Sequence, residues 1–148
     1  MVSNITLGLI QMSMSADKSA NLAKAVRMIG DAAKKGADVV CLPELFNLSY
    51  FPQDERNNEI ESEQIPGPTT EALARAAKAN GVVVIGGSIF EKGKTGNDGK
   101  TKKTYNTTAV FDETGKMLGA YRKVHVPHDE NFYEKNYFEP GDLGFKVF

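Results

Sequence analysis

Cysteine is nearly missing from this chain: one thiol, Cys41, stands among 148 residues. A single cysteine cannot close an internal disulfide, so a disulfide scaffold is excluded and a reducing, cytoplasmic setting is the default expectation. Long apolar runs are missing too, and no segment approaches the roughly 20 residues of a transmembrane helix. The opening Met-Val-Ser-Asn-Ile lacks the basic segment and apolar core of a signal peptide. Neither charge sign dominates, because 18 basic and 19 acidic residues are interspersed for a net charge of -1. That leaves no basic stripe for nucleic acid and no basic amphipathic stretch for a membrane surface. The hydrophobic share of 41% and charged share of 25% are ordinary for a globular domain, and the length fits one domain or part of one.

What is present is an alternation of short apolar runs and helical patterns. Ile5 to Ile10 is apolar and partly β-branched, and reads as a buried strand. Asp17 to Lys35 reads as a helix, with Leu22, Ala25, Val26, Ile29, Ala32 and Ala33 on one face and Gly36 placed to stop it. Asp38 to Leu42 is a second buried strand, ended by Pro43. Strand, helix and strand in this order form a βαβ unit with parallel neighbours. Residues 47–68 form a long polar excursion with three prolines, and loops of that length are often functional. Thr69 or Thr70 can cap a helix running to Asn80, with Gly81 as its stop. Val82 to Ile85 is a third buried strand, followed by Gly86-Gly87. Glu91 to Lys103, with Asn97-Asp98-Gly99, reads as a solvated turn between strands. Thr104 to Asp112 and Met117 to Tyr121 read as paired strands, and Phe145 to Phe148 as the start of another. The pattern predicts a mixed α/β sheet with helices on at least one face.

Chemistry concentrates where strands end. Glu44 follows directly on a strand, and sites in open α/β sheets collect at the carboxyl ends of strands. Walled by Leu45 and Phe46, it could act as a base near neutral pH. Lys123, in Tyr121-Arg122-Lys123-Val124-His125, also lies just past a strand, where an ammonium could stabilise an oxyanion in acyl transfer. Glu134 sits among Phe132, Tyr133, Tyr137 and Phe138, aromatics that could wall a pocket. Each of these, alone, is equally an ordinary loop or strand-end side chain, and Arg122-Lys123 could be a small surface patch. Cys41, inside Val39-Val40-Cys41-Leu42, reads as an inert core residue. His125 and His128 belong to no HExxH motif or Cys/His cluster, so they offer no metal site.

Taken together, these segments resemble the nitrilase superfamily of carbon–nitrogen hydrolases along essentially the whole chain. The matching pieces are Gln11 after the opening strand, Gly36-Ala37-Asp38-Val39-Val40-Cys41-Leu42-Pro43-Glu44-Leu45-Phe46, Pro66-Gly67-Pro68, Tyr105-Asn106-Thr107, Tyr121-Arg122-Lys123-Val124-His125 and Phe138-Glu139-Pro140-Gly141-Asp142. The run from Phe132 to Asp142 is most similar to the N-carbamoylputrescine amidases, enzymes of polyamine biosynthesis.

The resemblance implies an α/β fold, the N-terminal half of a four-layer α-β-β-α sandwich. It implies a Cys-Glu-Lys mechanism in which Glu44 takes the thiol proton, Lys123 stabilises the tetrahedral intermediate, and Glu134 orients the lysine and the substrate. No cofactor is needed. The substrate would be a small amide or carbamoyl-amine such as N-carbamoylputrescine, and the complete enzyme would form a homo-oligomer. Cys41 precedes the Glu motif and does not match the family's nucleophile. The expectation is therefore that residues 1–148 form a carbon–nitrogen hydrolase domain truncated before that cysteine and inactive alone. Another amidase or nitrilase branch, or a non-catalytic remnant or interaction module, are the competing readings.

Overall fold

A computed structural model describes residues 4–95 and 102–148. The elements are β1 (Leu7–Leu9), α1 (Lys18–Lys34), β2 (Val39–Cys41), α2 (Pro68–Asn80), β3 (Val83–Ile85), β4 (Ile89–Thr95), β5 (Lys102–Phe111) and β6 (Met117–Arg122). Two short 3₁₀ turns, Phe51–Gln53 and Glu134–Asn136, interrupt the long connections. The expected turn at Asn97-Asp98-Gly99 lies outside the described residues.

Among the described residues the sheet has six strands. β1, β2 and β3 run parallel, with Leu7, Gly8 and Leu9 opposite Val39, Val40 and Cys41, and these opposite Val83, Val84 and Ile85. β5 is antiparallel to its neighbours: β3 and then β4 lie along one edge of it, and β6 along the other. This is the mixed sheet that the pattern implied.

Strand alternation decides which face is covered. Val40 and Val84 point toward the helices and are fully buried with Ile29, Leu73, Ala77 and Phe111. Val39 and Cys41, one residue either side of Val40, face away and are only half-buried. On the same strand register Leu7 and Leu9 remain 63% and 77% exposed. One α layer on one β layer is the half of the α-β-β-α sandwich expected from the resemblance. Among the described residues no helix is long and apolar enough to cross a membrane.

Several local expectations are corrected. Asp17 is not the first helical residue but the cap of α1, its carboxylate accepting from the backbone N–H groups of Ser19 and Ala20. Gly67, rather than a threonine, caps α2; Thr70 accepts from the Gly67 N–H and donates back to its carbonyl. Thr69 is instead spent on Glu63, to which its hydroxyl donates at 2.6 Å. β4 runs on through Glu91 to Thr95, into what the composition marks as turn. Its Glu91 is buried because Arg122 and Thr107 supply partners. Phe145 to Phe148 joins no strand. Its aromatic rings lie on the open sheet face instead, Phe145 stacked on Tyr121 and Phe148 against Gly119.

Cys41 is also not a core residue. It lies on the face turned from the helices, half-buried, and lines a cavity of about 260 Å³ together with Glu44, Ser88, Asn106 and Lys123.

A candidate active site at the strand ends

The site is assembled from segments far apart in the sequence. Glu44 follows β2 through Pro43, in a turn that forces the next residue, Leu45, to φ 49°. A non-glycine residue there is uncommon, and neighbours must hold it. Ser88 does so, its hydroxyl oxygen accepting from the Leu45 N–H at 3.0 Å. Gly87 lies so close that a Cβ on it would stand 2.1 Å from the Pro43 carbonyl oxygen, at a φ of 57°. The Gly86-Gly87-Ser88 corner is therefore a mould for the Glu44 turn.

The apolar wall expected around Glu44 is not there. Leu45 goes into an aromatic cluster with Phe51, Phe90 and Phe138, and Phe46 into the helix-side core. The Glu44 side chain keeps 48% exposure and faces polar neighbours.

Lys123 follows β6, and its main-chain N–H donates to the Asn106 carbonyl at 2.9 Å. Its ammonium lies 2.9 Å from Oε1 of Glu44 and 3.0 and 2.8 Å from the two oxygens of Glu134. Glu134, on the second 3₁₀ turn, is buried at 1% exposure. Tyr50, which sequence reasoning missed, donates its hydroxyl to Glu134 Oε1 at 2.9 Å. Asn106 Nδ2 donates to Glu44 Oε1 at 2.7 Å. Glu44, Lys123 and Glu134 thus meet as one carboxylate–ammonium–carboxylate row, closed by a tyrosine at one end and an amide at the other.

Burial disfavours the Lys123 ammonium, but hydrogen bonds from it to Glu134 and Glu44 outweigh that and hold its pKa above the ordinary lysine value. Burial pushes the Tyr50 hydroxyl well up, and its bond to Glu134 pushes it further, so it stays a donor. Burial also pushes the Cys41 thiol up. The thiol's hydrogen bond among the described residues is a 3.6 Å contact to the Leu42 carbonyl, which supplies no base.

Arg122 is no surface patch. It is paired to buried Glu91 and to Asp142, and its guanidinium lies 3.8 Å over the Tyr105 ring. This latch, with the Gly141 N–H donating to the Lys123 carbonyl, ties the 138–142 segment to the strand that presents Lys123. A Cβ on Gly141 would stand 2.1 Å from the Arg122 carbonyl oxygen, so only glycine fits. The two histidines stay outside the row, and His128 packs edge-on against Tyr133. Among the described residues no group of three or more His, Cys, Asp or Glu side chains is placed to hold a metal ion.

The carbon-nitrogen hydrolase profile matches residues 6–148, and the chain belongs to that family, within the nitrilase superfamily. It is 42% identical over 151 residues to the omega-amidase NIT2-B of Xenopus laevis, covering 96% of this chain and 49% of that protein. It is 38% identical over 146 residues to the N-carbamoylputrescine amidase of Solanum lycopersicum, covering 97% and 46%. The crystal structure of a carbon-nitrogen hydrolase from Helicobacter pylori G27 superposes with a TM-score of 0.84 at 33% identity, over 95% of this chain and 46% of that one. The chain thus spans about half the length of the relatives it matches.

Proposed function

We propose that this chain supplies the base and the electrostatic half of an amidase site that hydrolyses a carbamoyl-amine such as N-carbamoylputrescine. The observation that carries the reading is the Lys123 ammonium held between Glu44 and Glu134. Such a group is fixed before reaction and costs no reorganisation when an oxyanion develops beside it. In the proposed cycle a thiol gives its proton to Glu44 and attacks the carbamoyl carbon. Lys123 meets the oxyanion, Glu44 passes the proton to the leaving nitrogen so that ammonia departs as the C–N bond breaks, and water then cleaves the carbon–sulfur bond, releasing the carbamoyl group as its carbamate and restoring the thiol. Glu134, buried and bonded on both oxygens, orients Lys123.

The thiol in this reading comes from outside these 148 residues: among the described residues Cys41 hydrogen-bonds to no base, and burial raises its pKa. No cofactor enters the cycle. The complete protein is read as a cytoplasmic homo-oligomer.

A second reading, an ω-amidase, is favoured by the 42% identity to the Xenopus laevis protein of that name. Ammonia release separates the two. The complete protein carrying this chain should turn over N-carbamoylputrescine faster than an ω-amide, and the 148-residue chain alone should turn over neither. Preference for the ω-amide would move the substrate to the second reading. Turnover by the 148-residue chain that Cys41→Ser abolishes would make Cys41 the nucleophile and sink the proposed role of an external thiol.

A further inference from the structure

The two oxygens of Glu44 are not equivalent. Oε1 accepts from Asn106 Nδ2 at 2.7 Å and from Lys123 Nζ at 2.9 Å. Among the described residues Oε2 accepts no hydrogen bond. Glu134 differs, since both its oxygens are engaged. We propose that Asn106 is a positioning residue that clamps Oε1 of Glu44, so that Oε2 is the oxygen left to take the proton from the nucleophile. The proposal rests on the amidase reading above and assigns a residue to it.

Geometry supports the assignment. Asn106 is 3% exposed and sits in the middle of β5, the strand bonded on both edges, so its amide has little freedom to turn away. A carboxylate on an exposed turn can rotate about its last torsion, which is broad and roughly two-fold. Lys123 alone would not stop that rotation, because an ammonium can meet either oxygen equally well. An amide donor fixed on a central strand breaks the symmetry. Asn106 also accepts the Lys123 N–H, but through its main-chain carbonyl. A side-chain substitution therefore removes the clamp on Glu44 and leaves the Lys123 strand bond in place.

The roles of base and anchor then follow from neighbours rather than from residue type. Glu134 is saturated and anchors the ammonium. Glu44 is half-saturated and can accept a proton.

Two measurements test this. In the labelled 148-residue chain, one side-chain amide proton of Asn106 should be shifted downfield and slow to exchange. In Glu44→Ala, a change at an exposed position, that signal should move upfield while the backbone amides of β5 stay in place. An Asn106 amide indifferent to Glu44 would overturn the clamp, whether or not any amide is hydrolysed. In the complete protein, Asn106→Leu keeps the side chain's volume and removes the donor. Its kcat should fall by about tenfold to a hundredfold, a fraction of what general-base catalysis contributes, with KM within about twofold. Asn106→Asp, which keeps the shape but not the donor, should not rescue it. Unchanged kcat in Asn106→Leu, or full rescue by aspartate, would overturn the positioning role. A wild-type protein inert toward every amide would sink the amidase reading, and the amide resonance would still decide the clamp.

Discussion

Lys123 and Glu134 make a two-point contact, the ammonium 3.0 Å from one carboxylate oxygen and 2.8 Å from the other. The lysine side chain keeps 30% exposure, whereas the glutamate keeps 2%. The pair is therefore asymmetric: removing the lysine strands a buried carboxylate, while removing the glutamate leaves an ammonium that still reaches Glu44 and water.

Lys123→Met should destabilise the chain by about 3 kcal/mol, the low end for breaking a buried pair, because Tyr50 still serves Glu134. Glu134→Gln should cost less. The double variant should recover part of the Lys123→Met loss, since it no longer buries an unpaired charge. Denaturant unfolding of the three variants reads this directly. A Lys123→Met chain within about 0.5 kcal/mol of wild type would show that the pair contributes nothing.

Glu63 governs acid sensitivity in the long excursion. Its carboxylate accepts from Asn47, from the Thr69 N–H and hydroxyl, and from Lys18 at 2.9 Å. Burial raises its pKa, but the Thr69 and Lys18 hydrogen bonds outweigh that and leave it below the ordinary value of 4.5. A depressed folded value means the stabilisation is complete above 4.5 and is lost as pH falls through the lower, folded value. The stability gap between wild type and Glu63→Gln should be constant near neutrality and close below pH 4.5. A gap that persists unchanged into that acid range would refute the charge's role.

The parts legible in sequence were those with a strong local signal. Short apolar runs mark β1 to β3, helical spacing marks α1, and caps and stops mark α2; the strand-end position of Glu44 follows from β2 and that of Lys123 from β6. Partners set by tertiary contact were not legible. Nothing local marks Tyr50, which reaches Glu134 across 84 positions, or Asn106, which reaches Glu44 across 62. Asn106 stands inside Tyr105-Asn106-Thr107, on the strand expected to pair with the one that ends before Lys123, and that is the usable hint. Glycine and lysine neighbours make Glu91 look solvated, whereas its burial depends on Arg122, 31 positions away. The capping threonine was misplaced because Thr69 serves Glu63, a demand no helix pattern contains. A short apolar run does not say which face each residue takes, so the sequence places Cys41 in the core while the strand turns it away from the helices.

The open sheet face should drive association of the isolated chain. Leu7 and Leu9 are 63% and 77% exposed on β1, an edge strand, and Phe145 is 79% exposed. Contiguous apolar surface and an unpaired edge both favour association. Sedimentation should show average mass rising with concentration, and Leu7→Lys with Leu9→Lys should reduce the rise. A wild-type chain that stays monomeric at all concentrations would contradict this.

The turn that carries Glu44 depends on two small residues that, among the described residues, make no hydrogen bond to its carboxylate. Gly87 holds a φ of 57°, and a Cβ there would meet the Pro43 carbonyl oxygen at 2.1 Å and the Leu42 side chain at 3.0 Å. Since the obstacle is backbone, Gly87→Ala cannot be absorbed by a rotamer change, and the Pro43–Leu45 turn must move. The expected cost is about 2 kcal/mol, from the left-handed backbone and the displaced turn together. Ser88→Ala tests the same turn without strain. It leaves the buried Leu45 N–H without its acceptor at a cost of about 1 kcal/mol or somewhat more. Both changes should displace Glu44 from Asn106, so in the complete protein both should lower kcat, Gly87→Ala more than Ser88→Ala. Thermal unfolding beside steady-state kinetics decides. If Gly87→Ala unfolds at the wild-type temperature and hydrolyses at the wild-type rate, the corner does not shape the Glu44 turn.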